Sequence, residues 1–229
     1  MKGIILEGVT GSGKTRIFGH LQRMLAAERP WNTKIFLSEH YTERVLEHQR
    51  ESGTLTPAVV LDHLQRMIGM LESLRSAKAA SKLSGRGGNA TVLVVVERFL
   101  LGQVALMSTS DPSSWRVSPP LVDSIAALYR RIDACGLRTI VLRVAPDAMR
   151  DRVLSTRRYR NGAWCDYLAG LGDDDAIVAL YTAVQNTMLE HSRSLEAIVQ
   201  PTFTEIGADW EEDQYEAVAD DLKCRFLTP

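Results

Sequence analysis

Cysteine is scarce: three residues, Cys135, Cys165 and Cys224, in a chain of 229. They form no CxxC pair and no Cys/His spacing of a zinc site. An odd, scattered set excludes a disulfide scaffold and a zinc finger, and points to a reducing, cytoplasmic compartment. An excess of one charge is also lacking. Lys and Arg total 27 against 28 Asp and Glu, a formal net charge of -1. A dedicated nucleic-acid binder normally carries a basic excess, so no nucleic-acid partner is expected. No apolar run approaches the length that crosses a bilayer, so no membrane partner is expected either. The opening Met1–Glu7 is too short and too soon charged for a secretory leader. Internal repeats and long low-complexity stretches are absent. Hydrophobic residues at 45% and charged residues at 24% are ordinary for a globular protein. The length predicts one domain over 1–229, with room for an appended lid, and a core that needs no disulfides.

Strands and helices alternate along the chain. Ile4-Ile5-Leu6, within 3–8, reads as a buried strand. A helix over about 13–27 carries Ile17, Phe18, Leu21, Met24 and Leu25 at helical spacing. Lys34–Leu37 is a second strand, and 42–50 is helical. Thr56-Pro57 opens a long helix with Val60, Leu61, Leu64, Met67, Ile68, Leu71 and Leu74 at intervals of three and four. The glycine-rich 84–89 reads as a loop. Val92–Val96 is apolar without a break, as in a parallel strand covered on both faces. A helix starts at Phe99, and 108–120 reads as a polar loop containing Trp115, which fits a surface plug better than a stacking base platform. Further elements are a helix over 121–134, a strand over 139–142, a helix from Pro146, a long helix over 173–195, a strand over 203–206 and a last helix over 211–226. This order predicts an α/β fold: a five-stranded parallel sheet with helices on both faces. Ligands in such sheets bind beyond the carboxyl ends of the strands.

The first such end carries Gly8-Val9-Thr10-Gly11-Ser12-Gly13-Lys14-Thr15, a full GxxxxGK[ST] (Walker A) match. Gly8, Gly11 and Gly13 allow a tight turn whose N–H groups converge on phosphate oxygens, and Ser12 adds to that cradle. The helix that follows points its positive end at the same place. Lys14 reaches the outer phosphates, and Thr15 is a Mg²⁺ ligand. ATP with Mg²⁺ is the expected cofactor.

The third strand ends in Glu97-Arg98-Phe99. A carboxylate there lies beside the phosphate loop and can hold Mg²⁺ or orient a nucleophile. The adjacent arginine can clamp a phosphate in bidentate fashion. With these residues the chain resembles the P-loop nucleoside and nucleotide kinases, in particular deoxynucleoside kinases and thymidylate kinases. The former carry Glu-Arg-Ser after strand three, the latter Asp-Arg-Tyr or Asp-Arg-Phe. Glu97 and Arg98 transfer to either pattern, and Phe99 does not choose between them. The resemblance covers the element order from Lys2 to about Phe226.

What it implies for the acceptor is more specific. A glutamate after strand two takes the acceptor's proton in deoxynucleoside kinases, and Glu39 matches that position, with His40 in place of the usual proline. Thymidylate kinases have Arg-Glu-Pro-Gly there, and Ser38 cannot replace that arginine. This departure favours a hydroxyl acceptor without a phosphate. Gln65, on the long helix, fits the glutamine that pairs with the base edge in deoxynucleoside kinases. The stretch after strand four holds Arg150, Arg152, Arg157, Arg158 and Arg160 and no lysine; arginine suits multidentate phosphate contact. The resemblance implies a lid at about 150–172, with Arg157 and Arg158 as catalytic arginines and Asn161-Gly162 as its turn. The family's tighter Arg-x-x-Arg-x-Arg pattern is not present.

Two functions follow. The first is a small-molecule kinase, with Lys14, Glu39, Glu97 and Arg98 at the reaction centre and Glu39, Gln65 and Arg98 on the acceptor. A nucleoside is the first choice of acceptor, a nucleoside monophosphate the second, and a sugar-like or antibiotic-like alcohol the third. The second is an NTP-driven regulatory module without an acceptor. A helicase is excluded by length and by the absence of an Asp-Glu box. The resemblance also implies a homodimer.

Overall fold

The computed structural model describes residues 1–29, 31–42, 46, 52–83, 91–99, 101–110, 119–194, 202–207 and 209–228. The strands are β1 (Lys2–Gly8), β2 (Thr33–Leu37), β3 (Val92–Glu97), β4 (Leu137–Val144) and β5 (Thr202–Ile206). They form one parallel sheet in the order β2-β3-β1-β4-β5. The strand that carries the phosphate loop is therefore central, with the Glu97 strand beside it: Leu6 lies opposite Glu97.

Alternation along the strands divides the interior into two cores. Ile5, Val94, Val96 and Val141 face one, and Ile4, Leu6, Leu93, Val95, Ile140 and Leu142 face the other. Both faces must be covered, and helices cover them. On the second face lie α1 (Lys14–Ala26), through Ile17, Phe18, Leu21 and Leu25, and the late helix α9 (Glu212–Leu222), through Tyr215, Ala219 and Leu222. Truncating a fully buried leucine such as Leu21 to alanine costs about 2–5 kcal/mol. The first face holds α3 (Pro57–Leu83), α4 (Leu101–Ser110), α5 (Pro119–Ala134), α6 (Met149–Leu154), α7 (Gly162–Gly170) and α8 (Asp174–Ser194). At the end of β4, Gln185 of α8 closes a two-bond pair with Val144, accepting from its N–H at 2.8 Å and donating to its carbonyl at 2.9 Å. There β4 runs past the end of β1, which reaches only Leu142, and a side chain takes over the ladder bonds.

Several boundaries differ from the sequence expectations. The helix after β2 begins at Glu39, not Thr42: α2 spans Glu39–Thr42, and Tyr41 N–H already bonds Ser38 O at 3.0 Å. The rest of the expected 42–50 helix lies outside the described residues, apart from Leu46, as do the 84–89 loop and Trp115. The expected polar loop over 108–120 is shorter, because α4 runs to Ser110 and Pro119-Pro120 form the first turn of α5, where proline's missing N–H is no loss. The helix expected from Pro146 starts at Met149, after a turn closed by Ala148 N–H on Ala145 O. Asn161-Gly162 is not a free turn. Asn161 caps α7, its side chain accepting from Trp164 N–H at 3.1 Å. Short polar cap-and-turn signals look alike in sequence; the helix that follows decides between them.

Candidate functional site

The phosphate loop spans the end of β1 and the start of α1. Gly11 and Gly13 both have left-handed backbones, with φ of 81° and 82°. A Cβ at Gly13 would sit 2.3 Å from the Tyr215 ring, and one at Gly11 would sit 2.4 Å from Arg152 O. Only glycine fits a loop so confined. The N-terminus of α1 has no side-chain cap and no acid in its first turn. Its N–H groups and positive dipole end are left for an external anion. Lys14, buried, donates to Gly8 O and Val9 O at 2.8 Å each and to Ser12 Oγ at 3.3 Å. The loop thus fits a polyphosphate, with a cation already gathered into it.

β3 brings its carboxylate to the same edge. Thr15 Oγ1 donates to Glu97 Oε1, so the two expected Mg²⁺ ligands are in direct contact. Among the described residues no cluster of three or more His, Cys, Asp or Glu could hold a metal. A hydroxyl and one carboxylate are nevertheless what a nucleotide-borne Mg²⁺ uses, since phosphates and water supply the rest of its shell. Arg98 follows in a left-handed conformation, φ 54°. Its N–H bonds Leu6 O at 2.9 Å, and its Nη2 donates to Thr10 Oγ1 at 3.2 Å. Arg98 is thereby tied both to β1 and to the phosphate loop.

A residue that the sequence reading passed over fixes this turn. Glu7, only 1% exposed, accepts from Phe99 N–H at 3.2 Å, Leu101 N–H at 3.0 Å and Gly102 N–H at 3.2 Å. The carboxylate satisfies the first amides of α4 and faces the positive end of that helix. A glutamate in an otherwise apolar strand was the available signal. Its partners, more than ninety positions away, were not.

The region around Glu39, read from the sequence as the acceptor side, is assembled from separate segments. Glu39 opens α2, and its side chain is 13% exposed. Arg160 Nη2 lies 4.0 Å from Glu39 Oε1, and the Arg160 guanidinium stacks over Trp164 at 4.5 Å. Trp164 is anchored by its indole N–H on Thr156 Oγ1 at 3.1 Å. Thr42 Oγ1 donates to Glu97 O at 2.8 Å, joining α2 to the end of β3. Across from α2, His63 of α3 comes near the backbone of Tyr41 and Thr42 with its Nε2 buried and without a hydrogen-bond partner; burial pushes its pKa down, toward the neutral ring. Gln65 is exposed and lies roughly 200° around the helix from His63. The structure therefore turns His63 toward this segment and Gln65 away from it, because α3 aims its core face between them.

The five arginines after β4 separate into distinct environments. Arg152 Nε donates to Gly11 O at 3.0 Å, and its Nη2 bonds Tyr215 Oη. Arg16 and Arg152 lie 5.0 and 5.5 Å from the Tyr215 ring centroid. Arg150 pairs with Asp175 at 2.5 Å, and Arg157 with Asp174 at 2.6 Å. Arg158 is exposed. Arg157 and Arg158, singled out from the sequence, are not drawn in with Glu39; Arg160 is. The sequence also allows Arg150 and Arg157 to pair with Asp147, Asp151 or Asp173; they do pair with acids, but with Asp175 and Asp174.

Comparison with solved structures identifies the fold. Deoxyadenosine kinase from M. mycoides with the products dCMP and a flexible dCDP bound superposes with a TM-score of 0.53 at 16% identity, over 97% of this chain and 99% of that one. The same enzyme with dCTP bound gives 0.51 at 16%, with the same coverage. Thymidylate kinase from Candida albicans gives 0.53 at 14%, over 97% of this chain and 90% of that one. The chain has the fold of the P-loop nucleoside and nucleotide kinases over nearly its whole length. No family model and no curated protein matches the sequence.

Proposed function

We propose that this protein is a kinase that moves the γ-phosphoryl group of ATP-Mg²⁺ to a nucleoside or a nucleoside monophosphate. The observation that carries the proposal is a second carboxylate. Glu97 is taken up with Thr15, whereas Glu39 stands apart from it under an arginine, Arg160, from the segment after β4. An NTP-driven switch needs the first carboxylate only; transfer to a hydroxyl uses the second as the proton acceptor.

In this reading the phosphate loop, with Lys14, holds the triphosphate, and Thr15 and Glu97 hold the metal. Glu39 receives the proton as the acceptor oxygen attacks, and Arg98 offsets charge on the transferring group. Residues 150–172 act as a lid, whose closure keeps water from the phosphoryl group. Arg160, by its position, is a better candidate than Arg157 or Arg158 for the arginine that serves the acceptor side. Ser38, where thymidylate kinases have an arginine, supports a nucleoside over a monophosphate. Three free cysteines fit a reducing cytoplasm, and the resemblance supports a homodimer. Among the described residues no helix is long and apolar enough to cross a membrane.

The test is ATP labelled at its outer phosphate, incubated with Mg²⁺ and a pool of nucleosides and nucleoside monophosphates. Label on one pool member is expected, and label found only as free phosphate would overturn the kinase reading. Glu39→Gln is expected to cut turnover about 10²-fold while changing nucleotide affinity little.

A further inference from the structure

Glu97 is held at both ends. Its side chain accepts from Thr15 Oγ1, and its backbone carbonyl accepts from Thr42 Oγ1 at 2.8 Å. Glu97 and Thr42 are each 1% exposed. The second bond has its reason in the sheet. Arg98 N–H turns toward β1, where it bonds Leu6 O, so the carbonyl before it, that of Glu97, faces β2. β2 stops one residue short: its last pair with β3 is Leu37 with Val96, and the chain then turns at Ser38 into α2. A buried carbonyl beyond the end of a ladder still needs a donor. Thr42 supplies it from a side chain.

α2 has little other anchorage of its own. Of its four residues Thr42 alone is buried; Glu39 is half-buried, and His40 and Tyr41 are exposed. A segment that buries no apolar side chain opens cheaply. Its place is therefore set by polar contacts. Glu39 and Thr42 stand three positions apart, which puts them on the same side of a helix. Whatever anchors the Thr42 hydroxyl also aims the Glu39 carboxylate.

We propose that Thr42 is a positioning residue: its bond to Glu97 O fixes where α2 stands against the end of β3, and with it the reach from the Glu39 carboxylate to Thr15 and Glu97. The joint itself does not depend on the reaction. Its effect on turnover rests on the kinase reading above, in which Glu39 takes the proton and Thr15 and Glu97 hold the metal.

Thr42→Val keeps the shape of the side chain and removes the donor, whereas Thr42→Ser keeps the donor. Glu97 O loses its partner in Thr42→Val, so the unfolding midpoint falls, and two other readouts decide. The first is hydrogen exchange of the Tyr41 amide, which bonds Ser38 O at 3.0 Å and needs no turnover to follow. Its exchange is expected to quicken about tenfold in Thr42→Val and about twofold at most in Thr42→Ser. The second is label transfer. Thr42→Val is expected to lower kcat about tenfold while MgATP affinity stays within about twofold, and Thr42→Ser is expected to recover most of the loss. In a Glu39→Gln background Thr42→Val is expected to cost nothing further, because it acts through that carboxylate. Unchanged Tyr41 exchange in Thr42→Val overturns the joint. Full turnover in Thr42→Val, equal losses in Thr42→Val and Thr42→Ser, or a further loss of about tenfold on top of Glu39→Gln overturns the positioning role. If Thr42→Val does not fold, Thr42→Ala, which leaves room for water at Glu97 O, decides by the same readouts. A wild-type chain that labels no acceptor, with Tyr41 exchange responding as expected, would sink the kinase reading and leave the joint standing.

Discussion

On the proposed donor side, consecutive residues from Gly8 to Thr15 make the whole cradle, mostly with backbone. On the proposed acceptor side, Glu39, Thr42, His63 and Arg160 arrive from α2, α3 and the segment after β4. The donor cradle depends on two left-handed glycines and an uncapped helix end, features fixed locally by residue type. The acceptor side depends on which face a helix presents and on which arginine an acid has already taken. A site built from backbone is contiguous and stays recognisable in sequence; one built from side chains is scattered and can be rebuilt with other residues.

That contrast can be broken by experiment. The largest effect is expected from Lys14→Ala, which removes the cation the loop has gathered; transfer should fall about 10³-fold in the label assay, and a loss under tenfold would mean the loop does not work as a donor cradle. Next is Glu7→Ala. It strands three amides at the start of α4, and at about 1 kcal/mol or more each it should cost about 3 kcal/mol in urea unfolding. An unshifted midpoint would show that water enters and replaces the carboxylate. A smaller change is expected from Arg160→Ala, about tenfold in acceptor kcat/KM, with Arg158→Ala within twofold. Equal effects of the two would erase the distinction drawn between the arginines.

The smallest effect lies away from the site and serves as a control. Arg131 holds Glu72 through two hydrogen bonds of 2.8 Å, linking α5 to α3, and lowers the Glu72 pKa from its ordinary value. A carboxylate lowered on folding stabilises the protein above the ordinary carboxylate range and loses that contribution as pH falls through its lowered value. The pair is well exposed to solvent, so Glu72→Gln should cost under about 1 kcal/mol at neutral pH. Melting curves of variant and wild type should converge in acid. A gap that survives in acid would assign the effect to packing.

Much of the fold was legible. The unbroken apolar run Val92–Val96 is a strand covered on both faces, and the strand–helix alternation yields one parallel sheet. The start of α2 was missed because Ser38-Glu39 closes its first turn straight off β2, with no apolar period to announce it. Gln65 was chosen on a loose positional match along a helix, and two positions decide which way a side chain faces. Glu7 lies within the stretch that reads as the first strand and was given no role, because burial of a charge is invisible until its partners are known. The arginine cluster was visible as a composition, but sorting it required the acids at the start of α8 and the Trp164 post.

The ring of Tyr215 over Gly13 has a consequence for how the protein is made. A ribosome delivers the phosphate loop about 200 residues before Tyr215. At ordinary rates of synthesis roughly 10–40 s separate the two. Through that interval the loop lacks the ring that packs on Gly13. A phosphate loop that needs this ring is then completed late, and a nascent chain should gain the proposed nucleotide site only once α9 has emerged.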